Sequence, residues 1–213
     1  MRAGNQPGDW MRLVAQDLAC ERGGRLVFGG VSFRVEAGQL MQLTGANGAG
    51  KSSLLRLIAG LADRTGGQLA LEGADPGELT IGQRAHLIGH LDAIKPALTV
   101  RENLQFWDGF LGGGDVEAAI SAFALDTLAG YPAQYLSAGQ KRRLALSRLA
   151  LIPRVLWLLD EPTVGLDQAS QERLHGLLDR HLRANGLVIA ATHVPLPVAA
   201  HVTFNLDPAK VAA

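Results

Sequence analysis

Three groups of residues in this chain have the types and spacing needed for phosphate chemistry. The first is a glycine-rich stretch that matches the phosphate-binding loop pattern G-x-x-x-x-G-K-[ST] at every position. It consists of Gly45, Ala46, Asn47, Gly48, Ala49, Gly50, Lys51, Ser52 and Ser53. Its glycines let several backbone N–H groups converge on one anion, and the following helix N-terminus adds partial positive charge. We expect Lys51 to reach the β- and γ-phosphates of a nucleotide and Ser52 to bind Mg²⁺ through its hydroxyl.

The second group is an acidic pair, Asp160 and Glu161, which follows the apolar run 155–159. A continuous apolar run of this length is typical of a strand covered on both faces. We expect Asp160 to hold Mg²⁺, directly or through water, and Glu161 to orient or deprotonate the attacking water. An isolated acidic pair is more often a solvated turn, but a complete phosphate-binding loop in the same chain favours the catalytic interpretation.

The third group consists of two histidines at the ends of predicted strands. His193 follows the apolar run 187–192, and His90 follows the shorter run 86–89. A histidine after a strand is more often structural, with its hydrogen bonds made inside the fold. Because ligands of open parallel sheets bind beyond the carboxyl ends of the strands, we expect both histidines near the phosphate-binding loop.

The segments around the loop supply the strand and helix that the pattern requires. Residues 39–44 predict a short buried strand, and residues 54–59 predict a helix that ends near Gly60. With both flanks present, a chance match by a glycine-rich turn is disfavoured.

Two further regions complete the predicted architecture. Residues 11–38 read as short strands with glycine turns, the alternation at 31–35 indicating a half-exposed antiparallel strand. Residues 91–150 predict a helical insert, in which Thr99 and Glu102 form a capping box. Three helices are predicted in and directly after this region, at 100–110, 116–125 and 141–151. A further helix is predicted after the acidic pair, at 167–184. The tail after Pro197 gives no clear signal.

Composition sets limits on the partners of the chain. Of its 213 residues, 47% are hydrophobic and 19% charged, which is ordinary for a globular protein. The 20 basic and 20 acidic residues give no net charge, so nothing in the overall charge supports nucleic-acid binding. The single cysteine, Cys20, excludes an intramolecular disulfide and suits a reducing compartment.

The chain carries no signal for its own membrane insertion. Residues 1–10 are polar and glycine-rich, form a predicted loose tail, and lack the apolar core of a signal peptide. Met11 is an alternative start that the sequence does not distinguish from Met1. We find no run of about 18 apolar residues, so a membrane role requires a partner. The prediction is a tail at 1–10 and one domain over 11–213.

With these residues in place, the chain resembles the ABC ATPases. Leu136 and the following Ser137, Ala138, Gly139 and Gln140 resemble the L-S-G-G-Q signature of that family, with alanine for the first glycine. Residues 164–167 resemble its D-loop and His193 its switch histidine. The order of the motifs is also the family's order. The resemblance implies an α/β fold with a P-loop NTPase core and parallel sheet, an N-terminal antiparallel β subdomain, and a helical insert carrying the signature.

The resemblance also implies how the chain works. It implies ATP and Mg²⁺ as ligands and an ATP-dependent head-to-tail homodimer, in which each ATP lies between the phosphate-binding loop of one chain and Ser137–Gln140 of the other. Two positions depart from the family pattern. His90 falls at the position where the family has its Q-loop glutamine. Arg22 falls near the position where the family usually has an aromatic residue that stacks on adenine. Arg22 could stack its guanidinium on the base instead, or it could be a solvated loop residue.

Short motifs at 88–90, 94–95 and 98–104 narrow the resemblance to ATP-binding subunits of cytochrome c maturation transporters, described as heme exporters. That likeness implies integral membrane subunits as partners and a peripheral position on the cytoplasmic face of a bacterial inner membrane. The histidines His86, His90, His175, His181 and His201 are scattered and indicate no heme site, and their interpretation as surface or internally satisfied residues is favoured over heme binding. The alternatives are an ABC ATPase serving another cargo and, less favoured, a soluble ABC-type switch acting on ribosomes or DNA.

Overall fold

A parallel sheet forms the centre of the protein. The computed structural model describes residues 11–75, 79–194, 196, 198 and 201–206. Within them, five parallel strands lie in the order β5-β6-β7-β3-β8. Their bounds are β3 (Leu40–Thr44), β5 (Ala85–Ile88), β6 (Leu156–Asp160), β7 (Leu187–Ala191) and β8 (His201–Asn205). Every residue of β6 and β7 is buried, as expected for inner strands covered on both faces.

A smaller antiparallel sheet lies at the N-terminal side of the fold. Its strands are β1 (Arg12–Arg22), β2 (Arg25–Glu36) and β4 (Gly66–Glu72), in the order β2-β1-β4. Leu13, Ala15, Phe28 and Val35 are buried, and they share a core cluster with Leu54 and Leu55 from the helix after the phosphate-binding loop. The predicted antiparallel β subdomain is therefore confirmed, and it covers one face of the parallel sheet.

Five α-helices lie within the described residues: α1 (Lys51–Ile58), α2 (Val100–Leu111), α3 (Val116–Ala122), α4 (Ala138–Leu151) and α5 (Gln168–Arg183). Leu174 and Leu178 of α5 and Leu146 of α4 pack with Trp157 and Leu159 on the second face of the sheet. Alternate residues of β6, Leu156 and Leu158, belong to the opposite core. Because successive side chains of a strand point to opposite faces of the sheet, β6 contributes residues to both cores.

Capping residues mark where the first helix of the helical insert begins and ends. Thr99 accepts a hydrogen bond from the Glu102 backbone N–H while the Glu102 carboxylate accepts from the Thr99 N–H, so the predicted capping box is confirmed. Helix α2 ends at Gly112, whose φ of 100° is a left-handed conformation that favours glycine. The 91–150 limits of a helical subdomain remain a prediction. Three short 3₁₀ helices, Gly82–Arg84, Asp126–Leu128 and Ala133–Tyr135, fill connections.

Some predicted bounds differ from the structure. Helix α3 ends at Ala122 instead of 125, because Ala124 has φ +48° and breaks the helix. Helix α4 begins at Ala138 instead of 141, because the Ser137 side chain caps it there. Strand β8, in the segment after Pro197, gave no clear sequence signal and pairs in parallel with β3.

Candidate nucleotide-binding and catalytic site

The phosphate-binding loop connects β3 to α1 with backbone conformations that glycine permits. Gly48 and Gly50 have φ of 83° and 102°. A Cβ on Gly45 would lie 2.4 Å from the backbone oxygen of Leu206, so this position cannot accept a side chain without rearrangement. Helix α1 has no side-chain cap, which leaves its first N–H groups available to an anion.

Lys51 points back over this loop. Its Nζ donates hydrogen bonds to the backbone oxygens of Gly45 at 2.7 Å and Ala46 at 3.1 Å. Both acceptors belong to the same loop, so the ammonium lies where phosphate oxygens would be bound. The geometry suits the predicted role of Lys51 as a phosphate ligand.

Ser52 and Asp160 meet across the sheet edge. The Ser52 hydroxyl donates to Asp160 Oδ2 at 2.7 Å. No group of three or more His, Cys, Asp or Glu residues able to hold a metal occurs among the described residues. One hydroxyl and one carboxylate fit Mg²⁺, which keeps several waters and takes its other ligands from nucleotide phosphates. A metal enclosed by protein ligands alone would not fit here.

His90 and His193 both lie at this edge of the sheet. His90 Nδ1 is 3.8 Å from Asp160 Oδ2, and His193 Nε2 is 3.7 Å from Glu161 Oε1. The side chain of His193 is 56% exposed and that of Glu161 28% exposed, so both can contact a ligand from solvent. Each predicted histidine is thus brought beside one carboxylate of the acidic pair.

One open cleft of about 340 Å³ gathers most of these residues. It is lined by Val27, Asn47, Gly48, Gly50, Lys51, Ser52, Ser53, His90, Asp160, Glu161 and His193. Arg22 is exposed at the end of β1 and is not among these lining residues. Val27 of β2 belongs to no recognisable motif, and it lines the cleft on the side of the antiparallel sheet.

The signature residues are not among the residues that line this cleft in their own chain. Ser137 caps α4 by accepting from the Gln140 backbone N–H, and the Gln140 side chain accepts from the Ser137 N–H. Ala138 is the first residue of α4, where the negative φ of a helix accommodates its methyl group. A Cβ on Gly139 would come within 3.0 Å of the Gly165 oxygen, so the start of α4 packs closely on the predicted D-loop.

Arg142 is a site residue that the sequence analysis missed. Its guanidinium donates to the backbone oxygens of Asp160 and Glu161, at 2.9 Å and 2.8 Å. The available signal was weak: Arg142 is one of three consecutive basic residues, and the helical period alone does not say which of them is buried. In the structure its side chain is 7% exposed.

The remaining histidines with described side chains form no ligand set. His86 is buried and bonded to the Ile152 oxygen, His181 contacts the Leu187 oxygen, and His175 is half-buried. This agrees with their interpretation as internally satisfied or surface residues. The side chain of His201 lies outside the described residues. None of the helices that the structure describes is both long and apolar enough to span a bilayer.

The fold and the site together define the class of protein. The family model described as "ABC transporter" matches residues 28–164, a region that contains the phosphate-binding loop, the signature and the acidic pair. The chain therefore belongs to the ABC transporter family.

Curated relatives refine the likeness. The cytochrome c biogenesis ATP-binding export protein CcmA of Nitrobacter winogradskyi is 52% identical over 192 residues, covering 89% of this chain and 96% of the relative. The protein of the same name from Rhodopseudomonas palustris strain BisB18 is 54% identical over 192 residues, with the same coverage of both chains. Among solved structures, a dimeric ATP-binding cassette bound to ADP and phosphate matches with a TM-score of 0.72 and 22% identity, covering 85% of this chain and 88% of that chain.

Proposed function

We propose that this chain is the ATP-hydrolysing subunit of an ABC exporter that acts in cytochrome c biogenesis. The observation that carries the hydrolytic part is the meeting of the phosphate-binding loop, Asp160, Glu161 and His193 at one cleft. The biological part is supported by relatives about half identical to this chain, which are named as cytochrome c biogenesis ATP-binding export proteins.

The residues of the cleft divide the work of hydrolysis. The loop N–H groups and Lys51 bind the β- and γ-phosphates, so that Lys51 exchanges its present carbonyl acceptors for phosphate oxygens. Ser52 and Asp160 would hold Mg²⁺, which when bound would supply positive charge beside the phosphates. Glu161 takes the proton of the attacking water, and His193, next to Glu161, contacts the γ-phosphate from the neighbouring strand end.

A second copy completes the nucleotide site. Ser137–Gln140 starts a helix whose N-terminus suits a γ-phosphate, yet these residues are absent from the described lining of the cleft in their own chain. An ATP-dependent head-to-tail homodimer would bring them onto the nucleotide of the partner. Integral membrane subunits then hold the dimer at the cytoplasmic face of the inner membrane.

Paired variants test the hydrolytic part. Glu161→Gln should bind Mg-ATP normally, lose at least about 100-fold in kcat, and elute as an ATP-dependent dimer in size-exclusion chromatography. Lys51→Ala should fail to bind ATP and remain monomeric. Substantial hydrolysis by a contamination-free Glu161→Gln preparation would contradict the general-base assignment.

Isolation of the membrane complex tests the biological part. The tagged chain is purified from detergent-solubilised membranes with and without ATP, with Lys51→Ala as the matched control, and heme absorbance is recorded. We expect cytochrome c maturation subunits in the eluate, and heme or a heme-loaded chaperone released by ATP from the wild type alone. Subunits of another transporter would assign another cargo, and salt-sensitive RNA binding without membrane partners would favour the soluble switch.

A further inference from the structure

Arg142 joins two parts of the site that are distant in sequence. One terminal nitrogen donates to Gly89 O at 2.8 Å and Asp92 Oδ1 at 3.0 Å, on the loop that carries His90. The other donates to Asp160 O at 2.9 Å and Glu161 O at 2.8 Å, at the end of β6. The planar guanidinium therefore spans the His90 loop and the acidic pair with four hydrogen bonds.

The backbone of Glu161 needs support of this kind. Its φ of +45° lies in the left-handed region, which is unfavourable for a residue other than glycine. The Glu161 N–H donates to Ala191 O at 2.7 Å, and its carbonyl accepts from Arg142. Strand β7 and Arg142 thus hold the two sides of the strained residue, and its side chain lines the cleft.

Burial makes these hydrogen bonds hard to replace. The Arg142 side chain is 7% exposed, and its charge is balanced by Asp92, which is 25% exposed. Within the described residues its buried Nε has no hydrogen-bond partner. The orientation that allows the four hydrogen bonds of the terminal nitrogens therefore leaves this one donor unsatisfied. Lysine at this position would keep the charge but could not form the same two-sided fork.

We propose that Arg142 is a positioning residue that sets the backbone of Asp160 and Glu161 relative to His90, and so fixes the water-activating carboxylate against the metal-binding one. This inference rests on the proposed hydrolysis of ATP at the cleft. Arg142 contacts no reacting atom. Its effect falls on turnover and leaves nucleotide binding, which depends on the phosphate-binding loop, largely intact.

Steady-state ATPase kinetics of the full chain test whether Arg142 affects turnover without affecting nucleotide binding. Arg142→Ala should lower kcat by about 10–100-fold, as expected for a small misplacement of a catalytic group, with the KM for ATP changed less than about threefold. Arg142→Lys should fold and retain an intermediate kcat. A kcat within about twofold of wild type in both variants, or a loss confined to KM, would overturn the inference.

Arg154 offers a matched control. Its guanidinium also donates to a backbone oxygen, Leu111 at 2.6 Å, and its Nε is likewise buried without a described partner. It lies before the start of β6, at the opposite end of the strand from Asp160. Arg154→Ala should lower the melting temperature with kcat unchanged.

Amide hydrogen exchange without nucleotide separates this inference from the proposed function. In Arg142→Lys, exchange should rise together in peptides covering 89–92 and 160–164 and stay unchanged there in Arg154→Ala. Unchanged exchange in Arg142→Lys would overturn the positioning role even if ATP is hydrolysed. Inactive wild-type protein with the expected exchange pattern would instead count against the proposed function alone.

Discussion

At the scale of single residues, the contact between Ser52 and Asp160 is the most informative in the site. The two side chains are 108 positions apart in sequence and lie 2.7 Å apart in the structure. In the proposed site, a hydroxyl and a carboxylate this close would both bind one Mg²⁺ when nucleotide is present. The pair therefore links the predicted phosphate-binding loop to the strand that ends beside Glu161, the carboxylate proposed as the general base.

Ser52→Ala should weaken Mg²⁺ binding and so raise the Mg²⁺ concentration that ATP hydrolysis requires. The variant loses one metal ligand while the loop N–H groups and Lys51 remain, so the Mg²⁺ concentration for half-maximal ATPase activity should rise about tenfold or more. Ser52→Thr keeps the hydroxyl and should behave like wild type. A Mg²⁺ titration of activity gives the answer, and an unaltered midpoint in Ser52→Ala would remove Ser52 from the metal site.

At the scale of elements, helix starts decide how the insert attaches to the core. Helices α2 and α4 both begin with a capping box, at Thr99 and Ser137. The Thr99 box lies on the segment that leads from the His90 loop into the helices. Asn103 supports the same segment, because its buried side chain donates to the backbone oxygens of Lys95, Leu98 and Thr99.

Thr99→Ala should destabilise the fold without touching the site. Loss of the cap leaves backbone N–H groups of α2 without partners, which costs about 1 kcal/mol of unfolding free energy. Thr99→Ser keeps the cap oxygen, and its unfolding free energy should stay within about 0.5 kcal/mol of wild type because serine caps at least as well as threonine. Urea denaturation measures both, and equal stability of the alanine and serine variants would show that the cap contributes little.

At the scale of the whole molecule, stability should depend on pH through two histidines that folding removes from solvent, His86 in β5 and His181 in α5. Burial lowers the pKa of His86 to about 4, although its bond to the Ile152 oxygen opposes the shift. Burial also lowers the pKa of His181 to about 4, and its ring stacks on Trp157 at 3.9 Å. Both side chains are therefore neutral in the folded protein at neutral pH.

The unfolding free energy should fall as the pH decreases from 6.5 towards 4. Between the ordinary histidine pKa of 6.5 and the folded pKa of about 4, the unfolded chain binds a proton that the folded chain does not. This linkage lowers stability by on the order of 3 kcal/mol for His86, with the same sign for His181. His86→Gln keeps a neutral donor for the Ile152 oxygen and should flatten the decline. Denaturation at several pH values tests this, and an equal slope in the variant would exclude His86 as the source.

The sequence by itself determined those parts of the protein whose conformation depends on residues only a few positions apart. Contiguous motifs predicted the phosphate-binding loop, the acidic pair and the capped helix α2, because glycine conformations, apolar runs and capping residues act over a few positions. The resemblance to ABC ATPases that those motifs carry also implied the α/β core with its antiparallel and helical parts. Strand β8 gave no such signal, since its pairing with β3 is a long-range contact.

Only the tertiary structure decided which residues meet. Arg142 reaches Gly89 and Glu161 across 53 and 19 positions, and no local pattern distinguishes it from the basic residues beside it. Val27 lines the cleft because the antiparallel sheet packs there, while Arg22 lies exposed at the strand end. Such placements depend on how the helices and strands pack together, and that packing depends on the whole core. A sequence motif predicts only the conformation of its own residues.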